Sequence, residues 1–405
     1  MNQNGSPLDL PNGWSARIVK ELASINEKNL KKNTACRYIE YIDIDSVEEG
    51  VIRKTTNLSL NEAPTRAKRV VQDKDILISS VRPNLKHYCR IKGSKSCTIA
   101  STGFVVLTPR KIDSDFLYYS ITTNEYTSYL SAIAETSTTA YPSITAEVIA
   151  ESIVPCPPEK EQKVISKILA DLDSKIELNQ QMNKTLESTA QAIFKHWFID
   201  FEFPDENGNP YKSSEGEMVD SELGEIPKGW NVEKIAQSID LRYGKSLRQD
   251  RRQEGYVPVF GSNGVVGYND KHLVEGPGII IGRKGTVGEV RFSFTDFWPI
   301  DTTYYVEVKN GTNITFWYYL LSFLNLDRMN SHSAVPGLNK NQVLDRKSIK
   351  PPSSLVNLFG AISAKILEKI DLSQRESTLL VSIRDFLLPK LMSGKIRVPL
   401  GDTDE

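Results

Sequence analysis

The sequence has no apolar run long enough to cross a membrane, and its first fourteen residues (MNQNGSPLDLPNGW) have neither a basic start nor an apolar core. We therefore expect neither a membrane anchor nor a secretory signal. Four cysteines without a Cys-x-x-Cys pair favour a reducing compartment over a disulfide scaffold. The expected location is the cytoplasm.

Several catalytic motifs are also missing. There is no GxxxxGK[ST] phosphate loop: the Gly-rich run 282–288 (GRKGTVG) lacks the Lys-Ser/Thr ending, and we interpret it as a tight turn between strands. No Asn/Asp-Pro-Pro-aromatic sequence is present, which excludes an amino-methyltransferase site in this chain. His87, Cys89 and Cys97 are three soft metal ligands without a fourth nearby, so no metal site is expected.

What the sequence does contain is a long amphipathic stretch, 157–203. It opens on Pro157-Pro158 and stops at Pro204, and its apolar residues recur at steps of three, four and seven, close to the repeat of a coiled-coil seam. Asn179 interrupts this stripe, as a polar seam residue does where it fixes the register. Some 40 helical residues would reach roughly 60 Å. One helix cannot cover its own apolar stripe, so a second long helix must pack against it.

The second helix is a copy of the first, displaced by 194 residues. The stretch 351–398 also opens on Pro-Pro, and the apolar positions of the two stretches coincide without a gap. We expect these positions to form the helix–helix interface: Ile165, Ile168, Leu172, Ile176, Leu186 and Ile193 in the first helix, and Phe359, Ile362, Ile366, Ile370, Leu380 and Leu387 in the second.

The segments before the helices are duplicated as well. Leu-Pro-Asn-Gly-Trp at 10–14 recurs as Ile-Pro-Lys-Gly-Trp at 226–230, an offset of 216 residues. In both copies a short helical stretch, β-branched strands and an aromatic helix follow in the same order. The pattern predicts two similar mixed α/β units, each followed by one long helix. The Asp-, Glu- and Gly-rich residues between the copies predict an exposed connector.

The net charge of −1 is unevenly distributed. Residues 15–141 carry 19 Lys and Arg against 14 Asp and Glu, whereas residues 142–229 carry 8 against 17. An acidic middle segment therefore masks a basic first unit. Basic and amide side chains also cluster in loops of both units, where Lys and Arg could neutralise phosphates and Arg or Asn could bind base edges. The candidate DNA-binding residues are Lys31, Lys32, Arg66, Lys68, Arg69, Arg82, Lys86, Lys245, Arg248, Arg251, Arg252, Asn263, Arg283 and Lys284.

Two other functions remain open at this point. Asp301 followed by Glu307 and Lys309 is a nuclease-like pattern that could hold Mg²⁺, so a stand-alone Mg²⁺-dependent nuclease is the alternative function. Against it, Glu307 and Lys309 fit the solvent face of an alternating strand, and the first copy lacks the set. A coiled-coil assembly protein without a DNA role is the third hypothesis.

The motifs together resemble the DNA specificity subunit of Type I restriction-modification enzymes. The resemblance lies in LPNGW and IPKGW, in VRPNLK and ASTGFVVL, in PVFGSNGVVGY, IIGRKGTVGEV and WPIDTTYYV, and in FKHWFIDFEFP and LLPKLMSGKI. It covers nearly the whole chain in the expected order. One departure is Ser353-Ser354-Leu355, which stands where the first helix has the charged start Glu159–Gln162.

The resemblance implies an α+β chain in which two target-recognition domains are separated by two long helices, packed as an antiparallel coiled coil with a pseudo-twofold repeat. The domains would be 1–156 and 229–350, the spacer helices 157–203 and 351–398, the connector 204–228 and the tail 399–405. Each domain would read one half of an asymmetric bipartite site in double-stranded DNA. The partners would be two modification (methyltransferase) subunits and restriction subunits, which would bind S-adenosylmethionine, ATP and Mg²⁺. This chain would bind no cofactor and catalyse nothing.

Overall fold

The computed structural model describes residues 10–31, 36–93, 97–137, 141–309, 311–329 and 337–399. It contains two compact units. The first unit is Met1–Glu177 with Ser377–Glu405, and the second unit is Leu178–Glu376. Across the described ranges, no helix combines the length and the apolar character that crossing a membrane requires.

The first unit contains twelve strands and four short helices before the first long helix, counted over its described residues. The strands are β1 (Ser15–Ile18), β2 (Ala23–Ile25), β3 (Tyr38–Ile42), β4 (Val47–Glu48), β5 (Val51–Ile52), β6 (Thr56–Ser59), β7 (Ala67–Val70), β8 (Ile76–Ser79), β9 (Tyr88–Arg90), β10 (Thr98–Ser101), β11 (Phe104–Pro109) and β12 (Ile153–Cys156). The helices are α1 (Val19–Leu22), α2 (Ser114–Ser120), α3 (Asn124–Glu135) and α4 (Ala146–Ala150).

Two four-stranded sheets form the core of the first unit. One has the order β2-β11-β8-β9, and its central strands β8 and β11 are apolar and almost wholly buried. This is the pattern of strands covered on both faces. The other sheet has the order β6-β3-β10-β7, in which β10 runs parallel to β3. A chain reversal at Thr102-Gly103 connects β10 to β11 and so joins the two sheets.

The second unit repeats this plan with fewer strands. Its strands are β13 (Met218–Ser221), β14 (Gly224–Pro227), β15 (Asn231–Lys234), β16 (Ile239–Tyr243), β17 (Val257–Gly261), β18 (Gly264–Asn269), β19 (Gly278–Gly282), β20 (Val290–Ser293), β21 (Trp298–Pro299), β22 (Thr303–Val308) and β23 (Lys347–Lys350). Its short helices are α6 (Ile235–Ser238), α7 (Ile314–Phe323) and α8 (Lys340–Leu344).

The two main sheets of the second unit match those of the first, except that β7 has no counterpart among the strands of the described residues. The order β16-β22-β19-β20 corresponds to β2-β11-β8-β9, and β18-β17-β21 corresponds to β6-β3-β10, with β17 parallel to β21 as β3 is to β10. The pairs that close each unit agree in register with the two sequence offsets: Ile18 faces Ile153, and Lys234 faces Lys347. The predicted duplication of a mixed α/β unit is therefore confirmed.

The two long helices are α5 (Glu159–Phe198) and α9 (Ser353–Met392), each of 40 residues. In the first unit, Asp173 of α5 accepts a hydrogen bond from Arg384 of α9 at 2.9 Å, and Ile165 packs in one cluster with Leu391. In the second unit, the rings of Phe194 and Phe359 lie 5.6 Å apart. Within each unit, as residue numbers increase along α5, the residues of α9 that they contact decrease in number, so the two helices are antiparallel.

The predicted interface residues all lie on these two helices and differ in burial. Ile165, Ile176, Phe359 and Ile370 are buried, and the other eight are partly buried. Leu169, Phe194 and Leu367 are also buried but were not among the predicted residues. Both helices begin two residues later than the predicted stretches, and α5 ends at Phe198 rather than before Pro204.

One expectation from the sequence is wrong. The structure joins Cys36 and Cys97 in a disulfide with a Cα–Cα distance of 6.0 Å, although the cysteine spacing gave no reason to expect one. The connector 204–228 is largely exposed and contains the hairpin β13–β14. Its Tyr211 stacks on Phe203 with ring centroids 4.6 Å apart.

Candidate nucleic-acid interface

The corner at the end of β8 brings several candidate residues of the first unit together. The Ser80 backbone N–H donates to the Gly103 carbonyl at 2.8 Å, and the Ser80 carbonyl accepts from the Ile144 N–H at 2.9 Å. Two residues further on, Arg82 places its guanidinium 4.6 Å from the ring centroid of Tyr141. Its exposed charge therefore lies beside an exposed aromatic ring.

Arg66 lies beside the same corner, since its carbonyl accepts a hydrogen bond from Thr102 N–H at 2.8 Å. The guanidinium donates to Tyr41 Oη at 3.1 Å and also binds the Asp43 carboxylate. The Tyr41 hydrogen bond and the Asp43 charge both raise the pKa of Arg66, so it is permanently charged. Its side chain is thereby held in one orientation while remaining exposed.

Lys86 and Arg82 border the short 3₁₀ turn Pro83–Leu85, and both have left-handed backbone conformations, with φ of 54° and 48°. Such conformations are rare for residues other than glycine and asparagine, and the tight turn requires them here. Lys86 forms an ion pair with Glu49 at 3.4 Å. Part of its charge is thus balanced within the unit.

The remaining candidates of the first unit are less uniform. Lys31 and Lys68 are exposed, whereas Lys32 lies outside the described residues. Arg69 is half-buried: it donates to Asn29 Oδ1 at 2.8 Å, and burial lowers its pKa. Arg69 therefore holds the loop before β3 against β7.

The corner at the end of β19 in the second unit has the same backbone bonds as its counterpart. Arg283 N–H donates to the Thr302 carbonyl at 2.8 Å, and the Arg283 carbonyl accepts from Leu338 N–H at 3.0 Å. The position of Ser80 is thus taken by an arginine. Its guanidinium donates to the Asp301 carbonyl at 2.7 and 3.1 Å and lies 5.4 Å from the ring centroid of Tyr243.

Lys284 is exposed at the tip of this turn, and Asn263 is exposed at the tip of the β17–β18 hairpin. The two tips touch: a Cβ added at Gly285 would lie 2.9 Å from Ser262 Oγ, and the φ of +79° at Gly285 suits glycine. The turn after β19 and the tip of the hairpin therefore form one continuous polar edge.

The loop after β16 completes the edge with Lys245, Arg248 and Arg251, all exposed. Arg252 differs from them because its guanidinium points inward, where it donates to the carbonyls of Val266 at 2.6 Å and Leu247 at 3.4 Å. It fastens the loop to the hairpin. As a DNA-contacting residue Arg252 is therefore a poorer candidate than its neighbour Arg251.

The three residues of the nuclease-like pattern are bonded to separate parts of the second unit. Glu307 accepts a hydrogen bond from Arg242 at 2.9 Å, Lys309 donates to the Ala236 carbonyl at 2.7 Å, and Asp301 holds Arg283 through its backbone. All three are exposed. Across the described parts of the chain, no group of three or more His, Cys, Asp or Glu side chains could hold a metal ion.

The soft ligands of the first unit are likewise used elsewhere. Cys97 is in the disulfide, the Nδ1 of His87 lies 2.5 Å from the Val47 carbonyl, and Cys89 is fully buried. Burial raises the pKa of the Cys89 thiol to about 12, so it stays protonated and is a poor ligand.

Four exposed apolar or aromatic side chains were not among the predicted site residues. Tyr256, Val265, Val266 and Tyr268 all lie on or beside the β17–β18 hairpin. In the sequence, Tyr256 and Tyr268 are interleaved with the basic clusters of the second unit, which is the signal that points to them. The valines give no such signal, because in sequence they are typical of a buried strand.

Comparisons with known proteins agree with this duplicated plan. The model of the family described as "Type I restriction modification DNA specificity domain" matches residues 11–188 and 227–378. The chain is 26% identical to the Type I restriction enzyme MjaIX specificity subunit of Methanocaldococcus jannaschii, over 96% of this chain and 95% of that protein. It is 24% identical to the HindI specificity subunit of Haemophilus influenzae, over 84% of this chain and 90% of that protein.

Among solved structures, the chain resembles the Type I restriction-modification system S subunit from M. genitalium, with a TM-score of 0.64 and 18% sequence identity. The alignment covers 97% of this chain and 99% of that one. This likeness shows that the two proteins share a fold.

Proposed function

Since the chain belongs to the family of Type I restriction modification DNA specificity domains, we propose that it is the DNA sequence-recognition subunit of a Type I restriction-modification complex. The observation that carries this proposal is the family match in both halves of the chain, 11–188 and 227–378, each including most of a long helix. The relatives that align over nearly the whole chain are named specificity subunits. The chain is accordingly a recognition subunit and not the catalyst.

We propose further that each unit binds one half of an asymmetric bipartite DNA site. Supporting this, the same backbone corner recurs in both units but carries Ser80 in one and Arg283 in the other. Because the two corners share one backbone geometry but carry different side chains, we expect them to contact phosphates in the same way and to select different bases. The exposed cations around each corner are the candidates for phosphate contacts.

The partners follow from the same role. We propose that two modification subunits and restriction subunits assemble on this chain, with the long helices as the spacer between the half-sites. S-adenosylmethionine, ATP and Mg²⁺ would be bound by those subunits. The missing phosphate loop and methyltransferase motif support this division of labour, since the chemistry then needs other chains.

The decisive experiment is a map of methylated adenines in the genome with and without the gene for this chain. We expect one bipartite motif to lose its methylation, and complementation to restore it. Replacing residues 15–141 by those of a relative should change one half of the motif and leave the other. A motif unaffected by deletion would refute the proposal, and a change in both halves would refute the assignment of one unit to each half-site.

The stand-alone nuclease is not supported by the relatives, which are named specificity subunits. We expect the purified chain to show no Mg²⁺-dependent cleavage of DNA. Glu307→Ala, which breaks the ion pair with Arg242, should leave methylation by the reconstituted complex unchanged.

A further inference from the structure

In the β17–β18 hairpin of the second unit, the exposed strand β18 carries apolar side chains. An exposed strand that faces water would carry polar side chains instead. Val265, Val266 and Tyr268 are 48%, 43% and 57% exposed. The opposite strand is anchored in the core through Val259 and Phe260, which are buried. Water contact with three neighbouring apolar side chains is unfavourable unless a partner covers them.

Hydrogen bonds hold the hairpin in one conformation, so its exposed strand β18 is already ordered before a partner binds. Arg252 binds the Val266 carbonyl, and Gly267 leaves room for it, since a Cβ there would lie 2.5 Å from Arg252 Nη1. At the other end, the buried Asn269 side chain accepts from Gln253 N–H at 3.0 Å and donates to the Lys271 carbonyl at 2.9 Å. Little ordering is therefore needed when a partner binds.

The surroundings of the hairpin are positively charged. Residues 245–252 contain four Lys or Arg and one carboxylate, Asp250, and the adjoining turn 282–288 adds Arg283 and Lys284 without a carboxylate. Two further carboxylates, Glu254 and Asp270, lie at the base of the hairpin, so the cations remain in excess. An apolar strip with cations on both sides fits a duplex, whose phosphates border a groove in which base edges are exposed. This charge distribution favours DNA over a protein partner.

From this arrangement we infer that Val265 and Val266 read thymine 5-methyl groups in the major groove of the half-site that the second unit binds. The major groove admits a two-stranded β-ribbon, and the thymine methyl is the one apolar group that it presents. Tyr268 lies on the same strand and extends the apolar surface. The inference rests on the proposed function, which supplies the DNA.

The first unit has a different surface at the matching place. Its strand β6 pairs with β3 as β18 pairs with β17, but its exposed residues are Thr56 and Asn57. The Asn57 amide and the Thr56 hydroxyl suit hydrogen bonds to base edges, and the single methyl of Thr56 offers much less apolar surface than the two valines. Thymine-methyl reading should therefore be stronger in the half-site that the second unit binds.

The test replaces thymine by deoxyuridine in one half-site at a time and measures the Kd of the complex of this chain with its modification subunits. For wild type, uracil in one half-site should weaken binding roughly fourfold for each methyl contacted. The variant Val265→Ala/Val266→Ala, which removes four methyl groups from the strand, should show a smaller preference than wild type for the thymine duplex of that half-site. Uracil in the other half-site should affect wild type and variant alike.

Two control variants separate this effect from others. Val219→Ala, at an exposed valine of the hairpin β13–β14, should keep the full wild-type preference for thymine. Lys284→Ala should weaken binding of thymine and uracil duplexes by the same factor. Equal affinity of wild type for both duplexes, or an unchanged preference in the double variant, overturns the inference. A complex that shows no salt-dependent DNA binding at all refutes the proposed function instead.

If the double variant is poorly folded, as circular dichroism would show, the wild-type uracil series still decides the matter. Loss of co-purification with the modification subunits, together with an unchanged response to uracil, would assign the hairpin to a protein contact and overturn the DNA assignment.

Discussion

Asn179 on α5 hydrogen-bonds to α9 at Ser373, the residue 194 positions later, with 3.5 Å between Nδ2 and the carbonyl oxygen. The same Nδ2 donates to Glu376 at 2.8 Å. Because the helix sequence repeats with the same offset of 194 residues, Ser373 is the position of α9 that corresponds to Asn179 of α5. Two antiparallel helices of equivalent sequence have one level at which equivalent residues face each other. Here that level is occupied by the buried polar residues Asn179 and Ser373. A polar seam residue of this kind fixes the register.

Removing the Asn179 side chain should therefore destabilise the helix pair. Asn179→Ala leaves the buried Ser373 carbonyl without this donor, and we expect the free energy of unfolding to fall by about 1–3 kcal/mol. Asn179→Leu should lose less stability, because the apolar side chain fits a seam, while relaxing the register. Urea unfolding measures the first effect, and hydrogen exchange along α5 and α9 measures the second.

Asn183, one turn further along α5, is the matched control. Its Oδ1 is buried without a hydrogen-bond partner in the described part of the chain. Asn183→Ala should consequently cost less than Asn179→Ala. Equal losses would show that the hydrogen bonds of Asn179 contribute nothing specific.

The ends of the long helices contain a second repeated contact, made with different chemistry. In the first unit, the buried Glu161 accepts from Trp14 at 3.0 Å and from Arg397 at 2.8 and 3.0 Å. The offsets of 194 and 216 place Leu355, Trp230 and Phe203 at the matching positions of the second unit. There Phe203 stacks on Trp230 at 5.1 Å. The ion pair of Glu161 and Arg397 beside Trp14 in the first unit is thus replaced by apolar residues beside Trp230 in the second unit.

Replacing the ion pair by apolar residues should preserve the stability of the first unit only when Glu161 and Arg397 are substituted together. Arg397→Phe alone leaves the Glu161 carboxylate buried without a cation. Glu161→Leu alone leaves the Trp14 N–H without its acceptor and leaves Arg397 only its hydrogen bond to the Asn12 carbonyl at 3.3 Å. We expect Glu161→Leu/Arg397→Phe to be more stable than the sum of the single losses by about 1–3 kcal/mol. Denaturant unfolding of the four proteins measures this coupling, and additive losses would contradict it.

The duplication could be read from the sequence because the residues that set the plan are local and recur in order. Apolar periodicity and the Pro-Pro and Gly-Trp signals gave offsets that the strand pairs Ile18–Ile153 and Lys234–Lys347 reproduce. The sequence also shows that Leu355 stands where the first helix has Glu161. It does not show that an apolar cluster replaces the ion pair there, because that cluster depends on Phe203, which is remote in sequence.

The site was harder to predict because its residues are distinguished by tertiary contacts. Arg251 and Arg252 are neighbours of one type, yet only Arg252 turns inward, and its partner Val266 becomes available only through the hairpin register. Cys36 and Cys97 are 61 residues apart and meet because β3 and β10 are parallel neighbours. Composition and spacing contain no signal for such pairs.

Lys284 should contribute to DNA affinity through phosphate alone. It is exposed at a turn tip, so Lys284→Ala should weaken binding to all sequences alike and reduce the slope of log K against log salt by about 1. Lys212→Ala, at an exposed lysine of the acidic connector, should leave the slope unchanged. Arg252→Ala should lower the melting temperature of the chain, because it breaks the bond to the hairpin. A change of sequence preference in Lys284→Ala would contradict a pure phosphate contact.

Asp75 provides a test of pH dependence in the core of the first unit. It is buried, accepts hydrogen bonds from Thr108 Oγ1 at 2.7 Å and from Gln72 N–H at 2.9 Å, and burial raises its pKa above the ordinary value of 3.8. The folded state thus holds this proton more tightly than the unfolded chain does. Raising the pH through the range just above 3.8 therefore removes stability through this group.

Asp75→Asn should remove that dependence while keeping both contacts, since the amide oxygen can accept from Gln72 and the amide nitrogen can donate to the Thr108 hydroxyl. The stability of the variant relative to wild type should rise with pH above 3.8 and level off once Asp75 is fully ionised in both states. Urea unfolding at a series of pH values measures this difference. A difference that is constant with pH, or that falls as the pH rises, would show that Asp75 is stabilised as the carboxylate.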